Sequence, residues 1–360
     1  MNVHEMLPET PRDIRLGLTR AEDTAFPLRW GIIGAGDISR QWALASGECA
    51  GASIAAVAAR DGDDAVAFAA ALGIERAYGG YEQLLAAPDI DAVYIGTINR
   101  LHKEHSLMAI AAGKHVLCEK ALAESAKEAR EMYAAANARR VMLQDGMWTR
   151  FMPAVEHARA LIEKGEIGDV LMVQADFDTY YTTQAATLAF GEAKPIRVQV
   201  AGKHYGPGGA ILEYSGNRFA NLAFIPFPSE FPEVTEFIGS KGRITLEQPA
   251  HCPTRLTVRI PEETPSRYCN SNKPAPERRY EYPLPDTIQI PDGHPNQAGF
   301  IYQTEAVHRC LAAGLLECPQ IDQQESIRNL EVLDSIHALK EGEPGPVPSK
   351  SSTTNHSNYG

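Results

Sequence analysis

Two patterns of apolar and polar residues divide the chain. Between Leu28 and about Gly146, short apolar runs alternate with stretches whose apolar residues recur at positions i, i+3 and i+4. The runs are typical of strands and the stretches of amphipathic helices. The predicted strands are LRWGIIG, SIAAVAAR, DAVYIGT, HVLCEK and RVMLQDG. Steady alternation of this kind predicts βαβ units, in an α/β domain with a doubly wound parallel sheet and helices on both faces.

From about Trp148 the pattern changes. A helical stretch, PAVEHARALIEKG, leads to the apolar run DVLMVQADF, and more strand-like runs follow between Gly and Pro turns. These runs are IRVQVAG, GAILEYSG, FANLAFIP, VTEFIGS, RITLEQ and LTVRI, and two helices over about residues 297–313 and 323–340 close the region. Strands joined by turns predict a mainly antiparallel open sheet, so the second domain is predicted to be α+β.

A glycine motif stands at the end of the first predicted strand. WGIIGAGDIS at 30–39 passes from an apolar strand through Gly34 and Gly36 into a helix, with Ser39 where a third glycine usually stands. Gly34 permits a tight turn, Gly36 lets the backbone approach a pyrophosphate, and the helix start at Asp37 and Ile38 offers unpaired N–H groups to phosphates. The motif predicts a dinucleotide site, and the alternative is a glycine turn that binds no ligand.

The second predicted strand ends in Arg60 and Asp61. An acid at this position usually binds the ribose 2′-hydroxyl of NAD, whereas an arginine can hold the 2′-phosphate of NADP. Because the arginine comes first, NADP is favoured over NAD. The alternative is that Arg60 and Asp61 only cap the next helix.

These elements predict four segments. Residues 1–27 form a loosely ordered extension, residues 28–147 an NAD(P)-binding Rossmann domain, residues 148–341 an α+β domain for substrate and dimerisation, and residues 342–360 a disordered Pro/Gly/Ser-rich tail.

Composition excludes several classes of function. The net charge of −12, with no basic run of five residues, disfavours a nucleic-acid partner. The apolar stretches are too short to span a bilayer, and the first residues lack the apolar core of a secretory signal. Six scattered cysteines without a CxxC pair indicate a reducing, cytoplasmic location. His102 and His105 of HKEH can share a helix face, but no third ligand is near, so no metal is expected.

Polar residues follow two more strands of the first domain, at the edge of the sheet where ligands bind. Thr97 and Asn99 can line a nicotinamide pocket, and Glu119 and Lys120 end the strand HVLCEK. A partly desolvated lysine here can donate to a substrate oxygen and acquire a lowered pKa, and it can stabilise a tyrosine phenolate that acts as base. The alternative for Lys120 is an ordinary surface lysine at the start of a loop.

The chain resembles the Gfo/Idh/MocA oxidoreductases, and within them the group of dimeric dihydrodiol dehydrogenases that also act as NADP-dependent D-xylose dehydrogenases. The resembling stretches include GIIGAGDIS, VAARD, DAVYIGT, HVLCEKAL, MWTRFMPAV, GSKGRITL and VHRCLAAGLLECP, and they cover about residues 28–340. The resemblance implies an NADP-dependent dehydrogenase of an aldose or a diol, and a homodimer formed through the C-terminal sheet. It also implies that Trp148 and Arg150 face the substrate cleft. Ala121 replaces the proline of the family's Glu-Lys-Pro motif.

The stretch DFDTYYTTQAATLAFG at 176–191 departs most from the resemblance. In the family, a loop and a Gly-rich turn precede an Asp-x-x-x-Tyr pair, and Phe-Gly follows the tyrosine after nine and ten positions. That count identifies Tyr181 as the acid/base tyrosine, but Phe177 stands where the aspartate belongs. Three hypotheses remain: a deletion with Asp176 or Asp178 substituting, a missing coding segment, or a catalytically impaired protein that binds a dinucleotide or a sugar. Tyr180 is expected to be a packing residue.

Overall fold

The first sheet is parallel and nearly buried. A computed structural model describes residues 26–202, 206–225, 231–262 and 275–341 of the protein. The strand order is β3-β2-β1-β4-β5-β6. The strands are β1 Leu28–Ile33, β2 Ala52–Ala59, β3 Arg76–Gly79, β4 Ala92–Ile95, β5 His115–Glu119 and β6 Leu143–Gly146. The connecting helices are α1 Asp37–Ser46, α2 Gly62–Leu72, α3 Glu82–Ala86, α4 Asn99–Ala111 and α5 Ala126–Arg139. The predicted doubly wound sheet is confirmed.

The strand order reverses at β1, which lies between β2 and β4. All four residues of β4 and five of the six residues of β1 are buried, as expected where helices cover both faces of a parallel sheet. The carboxyl ends of β1 and β4 therefore flank the crevice where ligands bind in such sheets. The apolar pattern did not predict β3, because this four-residue strand (RAYG) is half-buried and has no apolar run.

The second sheet has eight strands in the order β14-β13-β12-β11-β7-β10-β9-β8. Their bounds are β7 Val170–Phe177, β8 Arg197–Gly202, β9 Gly208–Tyr214, β10 Arg218–Phe224, β11 Thr235–Gly239, β12 Arg243–Leu246, β13 Arg255–Arg259 and β14 Glu277–Glu281. Neighbouring strands are antiparallel except β7 and β10, which run parallel with Ala175 opposite Leu222. The mainly antiparallel sheet is thus confirmed. The edge strand β14 was not predicted, because its charged sequence ERRYE reflects exposure at a sheet edge rather than burial.

Four helices belong to the second half of the chain: α6 Pro153–Glu163, α7 Thr179–Phe190, α8 Phe300–Ala312 and α9 Gln323–Glu341. The last two return to the first sheet. Trp30 of β1 donates through Nε1 to His308 Nε2 of α8 at 3.1 Å, and Ala126 N at the start of α5 donates to Asp334 Oδ2 of α9 at 3.0 Å. These contacts join the two sheets into one body.

The change of sheet lies between Gly146 and Val170, and we propose residue 147 as the end of the first domain. The extension predicted over residues 1–27 lies outside the described residues except Phe26 and Pro27, and so does the tail over 342–360. Within the described ranges no helix is long and apolar enough to cross a lipid bilayer. The five cysteines there are buried free thiols.

Candidate active site

The loop after β1 forms a cradle of backbone N–H groups. Gly34 has φ +101°, and a Cβ there would lie 2.9 Å from Thr97 Cγ2 and 3.1 Å from the Gly96 carbonyl oxygen. Gly36 is the N-cap of α1, no side chain caps this helix, and a Cβ at Gly36 would meet no atom within 4 Å. An uncapped helix N-terminus that faces open space fits a phosphate group. The glycine motif therefore has the shape that a dinucleotide pyrophosphate requires.

The first turn of α1 packs on the end of β4. Ser39 is buried, and its Oγ would lie 2.2 Å from a Cβ at Gly96. Ile38 is half-buried over the same glycine, whereas Asp37 is exposed and its carboxylate bonds the Gln41 side chain. A small residue at position 39 thus allows the close helix–strand packing of a dinucleotide-binding turn.

Arg60 and Asp61 lie at the carboxyl end of β2. Asp61 is the N-cap of α2 and accepts a hydrogen bond from Asp63 N at 2.9 Å. Arg60 is exposed beyond the end of the strand, near Tyr81. The capping alternative therefore holds for Asp61 but not for Arg60, whose guanidinium is turned to solvent at the edge where the adenosine ribose would lie.

The loop after β4 is tied to the loop after β5 by a buried histidine. His102 Nε2 lies 2.9 Å from the Thr97 carbonyl oxygen, and His102 Nδ1 lies 2.8 Å from the carbonyl oxygen of Ala121. Thr97 Oγ1 lies 3.1 Å from His105 Nδ1, and Asn99 is exposed at the start of α4. His102 and His105 are thus engaged within the protein. No cluster of three or more potential metal ligands occurs in the part of the chain that the structure describes.

Glu119 and Lys120 follow at the end of β5. Glu119 is buried and accepts from Tyr94 Oη at 2.7 Å and from Lys120 N at 3.2 Å. Burial raises the pKa of Glu119, while the bond from Tyr94 and the charge of Lys120 act in the other direction. The peptide bond between Lys120 and Ala121 is cis. The Glu119 carboxylate thus accepts from the backbone of Lys120, and its charge acts on the Lys120 side chain.

Lys120, Tyr181 and Trp148 meet at this edge of the sheet. Lys120 Nζ lies 4.6 Å from the centroid of the Tyr181 ring, and Trp148 Nε1 donates to Tyr181 Oη at 2.9 Å. The Trp148 indole stacks on Phe300 with centroids 4.5 Å apart, which fixes the direction of its N–H. Lys120 and Trp148, from separate elements, therefore place a cation and a hydrogen-bond donor beside the Tyr181 phenol, and both stabilise its ionised form.

Burial dominates the ionisation of the Tyr181 phenol. It raises the pKa of Tyr181 to about 12, although Lys120 and the Trp148 N–H act to lower it. For Lys120, burial alone would lower the pKa, but the negative charges available at Tyr181, Asp178 and Glu119 outweigh burial and raise it. The lowered pKa predicted for Lys120 is therefore wrong. Lys120 is therefore charged at neutral pH.

Residues 176–178 contain the two acids that could replace the aspartate expected four positions before Tyr181. The Asp176 carboxylate accepts from Glu233 N at 2.6 Å and from Val234 N at 3.0 Å, so it is committed to the backbone of the loop before β11. Phe177 packs on Tyr181, with ring centroids 5.1 Å apart. Asp178 is the N-cap of α7, and its charge acts on both Lys120 and Tyr181. Of the two candidate acids, Asp178 is the one whose charge acts on Lys120 and Tyr181.

Two other predicted residues lie in a buried network behind the site. Tyr180 Oη donates to Asp145 Oδ2 at 2.6 Å, and Ser326 Oγ donates to the same oxygen at 2.5 Å. Arg150 is 1% exposed and forms an ion pair with Glu325 at 2.6 Å. Nη2 makes this contact, whereas Nε and Nη1 have no hydrogen-bond partner among the described residues, so the expectation that Arg150 faces the substrate cleft stays a prediction. Tyr180 packs as expected, with its hydroxyl satisfied.

His251 and Glu233 also lie beside Tyr181, and the pattern of the sequence did not reveal them. The ring centroids of His251 and Tyr181 are 5.4 Å apart, and His251 Nδ1 bonds the Glu233 carboxylate. Both residues stand in turns among Pro residues (FPEV and PAHCP), where no periodicity marks a function. The only available signal is a histidine in the turn that follows the predicted strand RITLEQ.

Comparison with known proteins matches this architecture. Residues 28–147 match a family model, Gfo/Idh/MocA, described as an oxidoreductase family with an NAD-binding Rossmann fold. Trans-1,2-dihydrobenzene-1,2-diol dehydrogenase from Sus scrofa is 31% identical over 341 residues, covering 86% of this chain and 96% of that protein. The enzyme of the same name from Homo sapiens is 30% identical over 338 residues, covering 86% and 96%.

Solved structures share the fold at lower identity. A 3-ketoreductase from Actinomadura kijaniata in complex with NADP gives a TM-score of 0.69 at 24% identity and covers 87% of this chain and 97% of that one. A levoglucosan dehydrogenase in complex with NADH and levoglucosan gives 0.73 at 19% identity, covering 88% and 97%. Together with the cradle after β1 and the full-length match to the diol dehydrogenases, these findings show that the chain belongs to the Gfo/Idh/MocA family of oxidoreductases with an NAD(P)-binding Rossmann fold.

Proposed function

We propose that the protein is an NADP-dependent dehydrogenase of a polyhydroxy substrate, a cyclic diol or a D-xylose-type aldose. The observation that carries this proposal is the convergence of Lys120 and Trp148 on the Tyr181 phenol at the carboxyl edge of the sheet. Relatives that act on a dihydrodiol, and neighbours in fold that act on sugars, support the substrate class.

The residues divide into cofactor and proton groups. Gly34, Gly36 and the N–H groups of Asp37 and Ile38 would hold the pyrophosphate, and Thr97, Asn99 and Glu119 would border the nicotinamide. The bound nicotinamide would supply hydride acceptance from the substrate carbon. Tyr181 takes the proton of the substrate hydroxyl, and Lys120 stabilises the phenolate and orients that hydroxyl.

The direction of the reaction sets its pH dependence. Oxidation needs the Tyr181 phenolate, and its pKa of about 12 makes this form rare at neutral pH. The rate of oxidation therefore rises with pH toward that value, whereas reduction needs the phenol and stays constant over the neutral range.

The preference for NADP rests on the end of β2. Asp61 uses its carboxylate to cap α2, while the exposed Arg60 retains a guanidinium that suits a 2′-phosphate.

A spectrophotometric assay tests the proposal directly. NADPH formation is measured with D-xylose and with a trans-dihydrodiol, for the native enzyme, for Tyr181→Phe and for Tyr180→Phe as the matched control on the same helix. We expect turnover that Tyr181→Phe abolishes and Tyr180→Phe reduces by less than about tenfold. Equal loss in both variants contradicts the role of Tyr181.

A second candidate is a protein that binds the dinucleotide without turnover. It is favoured by Phe177, an aromatic residue stacked on His251 at the position where the family has its aspartate. Tight NADPH binding without activity on a panel of sugars and diols supports this candidate.

We also propose a homodimer that forms through the second sheet. Helices α6, α7 and α9 pack on one face of this sheet. The other face exposes Leu171, Ile211 and Phe219, each 37–41% accessible, on neighbouring strands. Sedimentation of the native chain and of Phe219→Glu tests this, and a native monomer contradicts it.

A reducing, cytoplasmic location is proposed on the five free thiols among the described residues.

A further inference from the structure

His251 and Glu233 form a nearly buried pair beside Tyr181. His251 Nδ1 bonds the Glu233 carboxylate, and the two side chains are 12% and 9% exposed. The backbone N–H of His251 points at the same carboxylate from 3.3 Å, and Ala250 N donates to the Glu233 carbonyl oxygen at 3.0 Å. Three contacts therefore hold the segment of His251 against Glu233, and one of them is made by the imidazole itself.

The imidazole of His251 packs against Trp148 and Tyr181, the donor and the acceptor of the hydrogen bond at the phenol oxygen. Its centroid lies 5.4 Å from the Tyr181 ring and 5.7 Å from the Trp148 indole, with the ring planes inclined by 63° and 68°. On its face, Phe177 stacks at 4.7 Å. A shift of His251 would therefore move the indole whose N–H donates to Tyr181 Oη.

The pair is itself anchored by Asp176. The Asp176 carboxylate accepts from Glu233 N and Val234 N, so it fixes the loop that carries Glu233. A continuous set of polar contacts thus runs from the end of β7 through Glu233 to His251, and on by ring packing to Tyr181.

The neighbouring thiol indicates the charge of the ring. Cys252 Sγ lies 3.2 Å from His251 Nε2 and 3.3 Å from the Pro295 carbonyl oxygen. Burial raises the pKa of the Cys252 thiol well above its usual value, so the sulfur keeps its single proton. If that proton goes to Pro295, the sulfur can only accept, and His251 must carry protons on both nitrogens. With an imidazolium, His251 Nε2 donates to Cys252 Sγ, and the thiol donates to the Pro295 carbonyl oxygen. With a neutral ring, the thiol proton serves only one of these two contacts, and the other stays unpaired.

We propose that Glu233 and His251 form an ion pair that positions Trp148 against Tyr181 and keeps the net charge on that side of the phenol at zero. This inference rests on the proposed function, because it assigns positioning residues to the same site. The other charged groups near the phenol are Lys120, Glu119 and Asp178. Removal of the imidazolium takes a cation away from the Tyr181 ring and leaves the Glu233 carboxylate behind it uncompensated, and both changes disfavour the phenolate.

The test is a double-mutant cycle on the pH profile of oxidation. His251→Gln keeps a donor for Glu233 but removes the charge. We expect its rising limb to move to higher pH, with kcat/KM at a fixed pH on that limb lower by about tenfold, and the NADP Kd changed by less than about threefold. In the double variant with Glu233→Gln no charge remains, so we expect the limb to return close to its native position. Structural damage would add in the double variant rather than cancel.

A second measurement needs no turnover, so it remains decisive if the variants do not fold or if the proposed function is wrong. The ¹⁵N–¹H correlations of the imidazoles at neutral pH, assigned by the signals lost in His251→Gln, should show protons on both ring nitrogens of His251. A proton on one nitrogen only overturns the ion pair, and so does a double variant as displaced as His251→Gln. If the native chain has no activity, the proposed function fails, while the imidazole spectrum still decides the charge of the pair.

Discussion

Replacement of Lys120 by methionine removes the cation that faces Tyr181 and keeps most of the side-chain volume. Lys120 Nζ lies 4.6 Å from the ring centroid. At an effective dielectric constant of about 20, a unit charge at that distance from a phenolate contributes about 3 to 4 kcal/mol. Because Lys120 is only half-buried, solvent screens part of this energy. A loss of about 3 kcal/mol reduces the phenolate population at a fixed pH by roughly 10²-fold.

The assay is kcat/KM for NADPH formation between about pH 6 and pH 10, below the pKa of Tyr181. We expect Lys120→Met to lower kcat/KM by roughly 10²-fold at every pH in this range, because the phenolate fraction falls in proportion throughout. Lys120→Arg keeps the charge but changes its shape, so its loss should be smaller. Lys127→Met, which removes an exposed lysine of α5, is the matched control and should behave like the native enzyme.

The result that would refute this reasoning is a loss confined to KM, with kcat and its pH dependence unchanged. Lys120 would then bind substrate without acting on the charge of Tyr181. A loss of the same size in Lys120→Arg would also refute it, because the charge would then be irrelevant.

Three further predictions concern Trp148, Arg60 and Arg150. Trp148→Phe keeps the ring but removes the donor to Tyr181 Oη, and should cost about 1.5 to 3 kcal/mol of phenolate stabilisation, seen as a roughly 10- to 100-fold fall in kcat for oxidation. Arg60→Gln should weaken NADP binding by roughly tenfold and leave NAD binding nearly unchanged, as measured by fluorescence titration. Arg150→Met leaves the Glu325 carboxylate without its buried partner and should lower the free energy of unfolding in urea by about 3 to 5 kcal/mol, whereas Arg150→Met with Glu325→Leu should recover most of it.

Local patterns were sufficient for the architecture. The periodicity of apolar residues depends on whether a segment is a strand or a helix, so it predicted both sheets and located the turn with Gly34 and Gly36. It failed for β3 and β14, because short or charged edge strands carry little apolar signal. Lys120 came from its place at the end of a predicted strand, and Tyr181 came from the resemblance to a family. The structure brings them together, although their catalytic roles remain predictions.

Partners distant in sequence were decided only by the tertiary structure. Arg150 is buried and pairs with Glu325 of α9, a contact between residues 175 positions apart that no local pattern marks. The pKa of Lys120 is raised rather than lowered, since its sign depends on the negative groups that the fold places around it. For the pair of Glu233 and His251, the sequence carried no signal beyond a histidine in a turn after a predicted strand. An ion pair or a pKa shift depends on which groups lie close together in the folded protein. Contacts between residues that are distant in sequence produce no periodic pattern in a single sequence.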